Sequence, residues 1–166
     1  MSHEVEIGRG KRGRRAYTLD DIALVPARRT RDPEDVNVGW QIDAYHVDTP
    51  LMAAPMDSVM SPETAIAFGR LGGIGVLDLD GLWTRYEDPT PILDRIAHLG
   101  EEESIATLQR VYSEPIKPSL ITARLKQLRE AGVVVAGKLS PQRVQKHWRA
   151  VVDAGIALAV CPPPNV

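Results

Sequence analysis

Few residues of this chain combine a reactive type with a suitable setting, and Met56-Asp57 stands first among them. The pair lies in Pro50-Leu51-Met52-Ala53-Ala54-Pro55-Met56-Asp57-Ser58-Val59, and Gly72-Gly73-Ile74-Gly75-Val76-Leu77 follows after one helical span. Two apolar runs too short for helices bracket a segment with a clear start and stop, which is the pattern of a parallel strand, loop, helix and strand. In such units the loop after a strand holds the chemistry. A methionine there either lines a ligand or fills an irregular gap in the packing. Asp57 and Ser58 either face a site or satisfy the free amides of the helix that follows.

The other reactive residues give weaker patterns. His3, His46, His98 and His147 are scattered without a second ligand at helical or loop spacing, so surface or packing roles are expected. Cys161 is the single cysteine, which rules out an internal disulfide framework. It has no local histidine partner and is followed by Pro162-Pro163-Pro164, so a small buried or incidental thiol is expected rather than a nucleophile. Gly8-Arg9-Gly10 and Gly72-Gly73-Ile74-Gly75 lack the complete G-x-G-x-x-G spacing, which discards a dinucleotide-fold reading. Lys11, Arg12, Arg14 and Arg15 form a basic cluster flanked by Glu4, Glu6, Asp20 and Asp21, as in a solvated, mobile terminus.

The elements that must position Met56 and Asp57 can be read in order. Trp40, Ile42 and Ala44 alternate with polar neighbours and predict a short strand or hairpin. Ser61 is a good cap, Pro62 suits the first helical position and Glu63 the positive end of the helix, which predicts a helix ending near Leu71. Gly72 and Gly73 stop it, and Ile74, Val76 and Leu77 form a buried strand. Helical patterns follow at 92–99 and 105–111, and at 120–131 and 141–154, closed by Gly132 and Gly155. Val133-Val134-Val135-Ala136 and 156–160 read as a third and a fourth strand. Short strands alternating with helices imply a parallel α/β sheet. With 43% hydrophobic and 25% charged residues the chain has the composition of a soluble globular protein. A net charge of −2 gives no general attraction to nucleic acid. No apolar run approaches the ~18 residues of a membrane span. Without a signal-peptide core behind Met1-Ser2-His3-Glu4, a cytoplasmic location is expected.

Three segments carry a resemblance: Thr18-Leu19-Asp20-Asp21-Ile22-Ala23-Leu24-Val25-Pro26, the stretch Pro50 to Val59, and Gly72-Gly73-Ile74-Gly75-Val76. In order and spacing the chain resembles the IMP dehydrogenase and GMP reductase superfamily. Glu6-Ile7-Gly8-Arg9-Gly10-Lys11 and Leu79-Asp80-Gly81-Leu82-Trp83-Thr84-Arg85-Tyr86-Glu87-Asp88-Pro89 look most like its actinobacterial IMP dehydrogenase-related branch, which lacks CBS domains. Too few residues separate the first and third strands for a CBS pair to fit. The resemblance implies the amino-terminal half of a TIM (β/α)8 barrel, about four parallel strands with their helices. A complete barrel has eight strands and typically ~250 residues. Residues 1–49 would be an extension and barrel-floor hairpin, 50–160 a partial barrel, and 161–166 an aberrant proline-rich end. A truncated or frameshifted reading frame is the preferred explanation, with an assembly of two half-barrel chains left open. Two free sheet edges and an uncovered apolar face would make such a half barrel marginal or sticky when isolated.

The same resemblance implies an activity: a purine-nucleotide oxidoreductase of the IMP dehydrogenase type, converting IMP to XMP with NAD, or a GMP reductase-like reaction with NADPH. It implies NAD or NADP as cofactor, with a K+ ion in the complete enzyme at a site outside this chain. A purine nucleoside monophosphate is the implied partner, and the family's tetramer the implied assembly. By this mapping Met56, Asp57 and Ala54 touch the nucleotide. Ala53-Ala54 stand where the family often has serine, which removes one polar contact. Leu77-Asp78-Leu79-Asp80 replace a basic, histidine-containing segment, and no aspartate follows Val160 where the family reaches the nicotinamide. The family's catalytic cysteine loop and phosphate-gripping glycines are absent from the sequence. The alternative is a non-catalytic degenerate fragment or a half-barrel interaction module.

Overall fold

Short alternating segments open both units of the structure, a computed structural model that describes residues 4–14, 17–23, 25 and 32–162. The units divide between Asn37 and Val38. In the first, β1 (Glu4–Gly8) and β2 (Lys11–Arg14) pair antiparallel around a turn in which Gly10 takes φ +70°. The basic cluster read as a mobile terminus is therefore partly a hairpin strand, with Arg12 3.6 Å from Glu4. Arg15 lies outside the described residues. The Thr18 backbone N–H donates to the Asp21 carboxylate at 3.0 Å and closes a 3-10 turn.

The second unit begins with the expected hairpin, β3 (Trp40–Ile42) and β4 (Tyr45–Val47). Four parallel strands follow in sequential order: β5 (Met52–Ala53), β6 (Ile74–Asp78), β7 (Ala136–Lys138) and β8 (Leu158–Val160). Five helices connect them: α1 (Pro62–Arg70), α2 (Thr90–Ala97), α3 (Glu101–Ser113), α4 (Pro118–Glu130) and α5 (Pro141–Asp153). Sheet order that follows chain order, with no reversal, is the pattern of a barrel wall and not of a doubly wound sheet.

Strand alternation divides the core into two layers. Ile74, Val76 and Ala136 on one face meet Val47, so the hairpin packs against that face of the sheet. Leu77 and Leu79 on the other face meet Met60, Ala65, Ile121, Leu125 and Leu128. In α4 the fully buried Ile121, Leu125 and Leu128 recur at i, i+4 and i+7, the spacing that keeps one helical face on the sheet. Ser61 caps α1, its Oγ accepting from the Thr64 N–H at 3.0 Å, and Gly72 ends it at φ +89°.

The third strand requires a correction. The run Val133-Val134-Val135-Ala136 reads as a strand because β-branched residues suit one, yet the ladder to β6 pairs Val76, Leu77 and Asp78 with Ala136, Gly137 and Lys138. Burial explains the shift. Gly137 is used where Leu79 crosses, since a Cβ there would lie 2.7 Å from Leu79 Cδ1. The valines lead into the ladder, with Val135 buried in the outer layer.

His147 faces inward from α5, 2% exposed, and neither ring nitrogen has a hydrogen-bond partner. Burial, with Lys146 and Arg143 adding to it and Asp80 opposing, holds its pKa below the usual 6.5. Above about pH 6.5 the ring is neutral in both the folded and the unfolded chain. As pH falls below that value the unfolded chain binds a proton that the folded chain resists, so stability falls. We expect the urea midpoint to drop between pH 7.5 and pH 5.5 (about the window of this titration), and His147→Leu to flatten that slope. An unchanged slope in the variant would refute this assignment.

Candidate functional site

The two-residue strand β5 ends in a tight loop at the carboxyl end of the sheet. The Met56 N–H donates to the Ala54 carbonyl at 3.0 Å, and the Met56 carbonyl accepts from Val59 and Met60 at 3.0 and 2.7 Å. Met60 is buried in the outer layer and anchors the loop from below. Met56 is left 50% exposed and Ala54 is exposed beside it. Met56 is thus not a gap filler in the core.

Asp57 acts as a clasp. Its Oδ2 accepts from the Leu82 N–H at 2.7 Å and from the Tyr112 hydroxyl at 2.5 Å, and Oδ1 is buried without a partner. It satisfies a free amide, but not one of the helix that follows, which corrects the capping reading. The amide belongs to the 3-10 turn Leu82–Thr84, whereas α1 is capped by Ser61. Gly81 permits the contact, because a Cβ there would fall on the Asp57 carboxylate. Burial first, then the bond to Asp57, holds Tyr112 well above the usual phenol range, so it remains a hydroxyl donor.

Asp78 leaves β6 on its inward face and meets Lys138 of β7, with Nζ 3.2 Å from Oδ1 and 3.4 Å from Oδ2. Lys138 also reaches Asp80 Oδ2 at 3.4 Å, and the same oxygen accepts from the Ser140 N–H at 2.8 Å. Burial pushes Asp78 up; the Asp80 amide and Lys138 pull it back without cancelling the shift, and Asp57 adds to it. Burial pulls Lys138 down, but Asp78 and Asp80 more than reverse this and leave it above the usual lysine range. Arg85, 6% exposed, donates to the Asp80 carbonyl from Nε and Nη2 and to the Glu114 carbonyl from Nη1, bracing the turn after β6 against α3. Arg124 of α4 donates from Nε to the Trp83 carbonyl at 3.0 Å and holds the far end of that turn.

A cleft of about 440 Å3 opens over this group, lined by Met56, Asp57, Asp78, Leu93, Leu108 and Tyr112 among others. Met56 and Asp57 come together there, whereas Ala54 is not among the lining residues. Cys161 lines a separate apolar groove against α5 and is exposed, so of the two expected roles, a buried or an incidental thiol, the buried one does not apply. His46 lies 3.6 Å from Asp48, and His98 is bonded through Nδ1 to the Asp94 carbonyl. Among the described residues no three His, Cys, Asp or Glu side chains gather as a metal site. Among them, too, no helix is long and apolar enough to cross a membrane.

Sequence reasoning passed over Asp78, Lys138, Arg85 and Tyr112 as members of this group. Asp78 and Lys138 are sixty residues apart, and Asp57 and Tyr112 fifty-five, so local spacing gives no sign of either pairing. The one available signal was strand parity, which puts Asp78 on the inward face with Ile74 and Val76.

Parallel strands in sequential order, a hairpin packed on one face and a largely apolar cleft bearing two carboxylates at the strands' carboxyl ends define one wall of a TIM barrel with its mouth. Residues 16–157 match the description "IMP dehydrogenase / GMP reductase domain", and the chain belongs to that family. An uncharacterized oxidoreductase of Mycolicibacterium smegmatis is 42% identical over 161 residues, which are 94% of this chain and 43% of that one. One from Mycobacterium tuberculosis H37Rv is 43% identical over 164 residues, again 94% and 43% of the two chains. The inosine-5'-monophosphate dehydrogenase of Methanocaldococcus jannaschii is 41% identical over 64 residues, 39% of this chain and 13% of that one. A crystal structure of an IMP dehydrogenase/GMP reductase-like protein from Corynebacterium glutamicum superposes with a TM-score of 0.81 at 38% identity, covering 98% of this chain and 45% of that one. The chain thus spans less than half the length of these mycobacterial and corynebacterial relatives.

Proposed function

We propose that the chain supplies the Met56 wall of a purine-nucleotide pocket in an oxidoreductase of the IMP dehydrogenase type, one that oxidises IMP to XMP by passing a hydride to NAD. The observation that carries this is the cleft itself, where the exposed Met56 side chain stands over the strand ends beside the Asp57 clasp. A flat purine face suits a polarisable thioether, and the apolar lining shields it from water. A GMP reductase-like reaction with NADPH would use the same wall. For the nicotinamide cofactor the fit is partial. The cleft offers apolar surface and a carboxylate for a ring bearing an amide, but no lysine or arginine among the described residues lines it for a pyrophosphate.

Calorimetric titration of the chain with IMP and GMP tests the reading. Met56→Ala removes a side chain worth about 1.5–3 kcal/mol when covered, so affinity should fall about tenfold or more. Unchanged affinity in Met56→Ala, or no nucleotide bound, would overturn it. The second reading, a chain that binds without turnover, is favoured by the position of Cys161, which lines the groove against α5 and not the cleft. The chain mixed with IMP and NAD should yield no reduced cofactor; steady reduction would remove this second reading.

A further inference from the structure

The cleft has walls of two origins. One is the loop of Pro55 and Met56, and the other is the hairpin of α2 and α3, which contributes Leu93, Ile96 and Leu108. None of the α2 residues is buried, and Leu108 is 37% exposed. Leu93, Ile96 and Leu108 are therefore held open beside the mouth instead of being spent on the core. Such surface lowers its free energy when an apolar face covers it.

The polar lining narrows what that face can belong to. Asp57 Oδ2 is occupied by Leu82 and Tyr112, its unpartnered Oδ1 is buried out of reach of a ligand, and the Tyr112 hydroxyl spends its proton on Asp57. Asp78 retains capacity: Oδ1 accepts from the Asp80 N–H at 2.9 Å and from Lys138, while Oδ2 has only the 3.4 Å approach of Lys138. A carboxylate offers about four acceptor positions, so Asp78, which lines the cleft, keeps capacity for a ligand donor. Asp57 and Asp78 are the charged groups lining the cleft among the described residues, so a phosphate there would meet like charge and no cation.

We propose that this cleft takes a flat heterocycle without negative charge, its faces between Met56 and the Leu93, Ile96 and Leu108 wall and an N–H edge on Asp78, with phosphate recognised elsewhere. The inference rests on the ring-binding role proposed above for Met56 and adds Asp78 as the residue that reads the ring. A purine base and a nicotinamide carboxamide both present such an edge.

The test is calorimetric titration of the full chain with inosine, 1-methylinosine, nicotinamide riboside, IMP and inorganic phosphate. Inosine or nicotinamide riboside should bind, and which of them does identifies the ring. Inorganic phosphate should not bind, and IMP should bind no more tightly than inosine. If inosine is the ligand, blocking its N–H edge in 1-methylinosine should weaken binding about tenfold, as loss of a charge-assisted hydrogen bond requires. Asp78→Asn should weaken whichever ring binds by a similar factor. Ile96→Glu, on a helix with no buried residue, should do so with thermal stability unchanged. IMP binding with inosine and nicotinamide riboside silent would overturn this inference and leave the proposed function standing, whereas silence of every ligand would remove both. Equal binding of inosine and 1-methylinosine, or of native and Asp78→Asn chains, would also overturn it.

Discussion

Gly75→Val is expected to unfold the second unit at temperatures where the native chain is stable. Gly75 is buried in β6 under α1, and a Cβ there would stand 2.6 Å from Ala65 Cα, 2.8 Å from its Cβ and 2.9 Å from its carbonyl oxygen. Backbone atoms cannot rotate out of the way, so α1 must lift from the sheet. Overpacking of this kind costs about 3 kcal/mol or more, which lowers the melting temperature by about 10 °C in a unit of this size. The loss spreads to the site, because among the described residues β5 pairs only with β6, through Met52 with Ile74 and Ala53 with Gly75. Gly100→Ala is the control: no atom lies within 4 Å of a Cβ built there, so the melting temperature should fall far less, by no more than the loss of a glycine N-cap on α3. If Gly75→Val melted with the native chain, the close approach of α1 to β6 would be wrong.

Asp57→Ala should have the second largest effect, on stability and binding together. The carboxylate joins three pieces of chain: the β5 loop that holds Met56, the turn after β6 through the Leu82 N–H, and α3 through Tyr112. Hydrogen bonds to a charged group contribute about 1.5–3 kcal/mol each, and bonds to a single carboxylate do not add, so a loss of about 3 kcal/mol is expected. Tyr112→Phe removes one bond and should cost about 1.5 kcal/mol, the low end of that range for a half-buried hydroxyl. Ring binding should weaken further in Asp57→Ala than in Tyr112→Phe, because the first variant frees both walls of the cleft and the second only α3. Chemical denaturation of the three proteins, with inosine titration of each, measures both effects. Equal stability of Asp57→Ala and Tyr112→Phe would contradict the clasp.

These two residues show how differently sequence discloses structure. Gly75 stood inside a recognisable local pattern, where glycine in a buried strand already signals a close approach of backbone. Asp57 was singled out as a contact or a cap, and both readings looked only along the chain. Its partners, Leu82 and Tyr112, are twenty-five and fifty-five residues away. The helices at 118–130 and 141–153 could be read because capping prolines, closing glycines and an apolar face lie within one element. The third strand slipped toward Val133 because β-branched side chains mark a strand only when the neighbouring layer does not ask for a glycine.

Sequence by itself determined the order of strands and helices, the hairpin before them, the parallel α/β class and the loop bearing Met56, because each depends on propensity, capping or periodicity within a few turns of chain; the half barrel followed from the family resemblance. Tertiary structure alone decided that Asp57 serves as a clasp, that Asp78 and Lys138 meet at the mouth, that the apolar sides of α2 and α3 face a cleft, and that Cys161 lies away from it. Those outcomes are set by which strand ends the sheet brings side by side, and contacts across fifty or sixty residues leave no periodic trace in the chain that makes them.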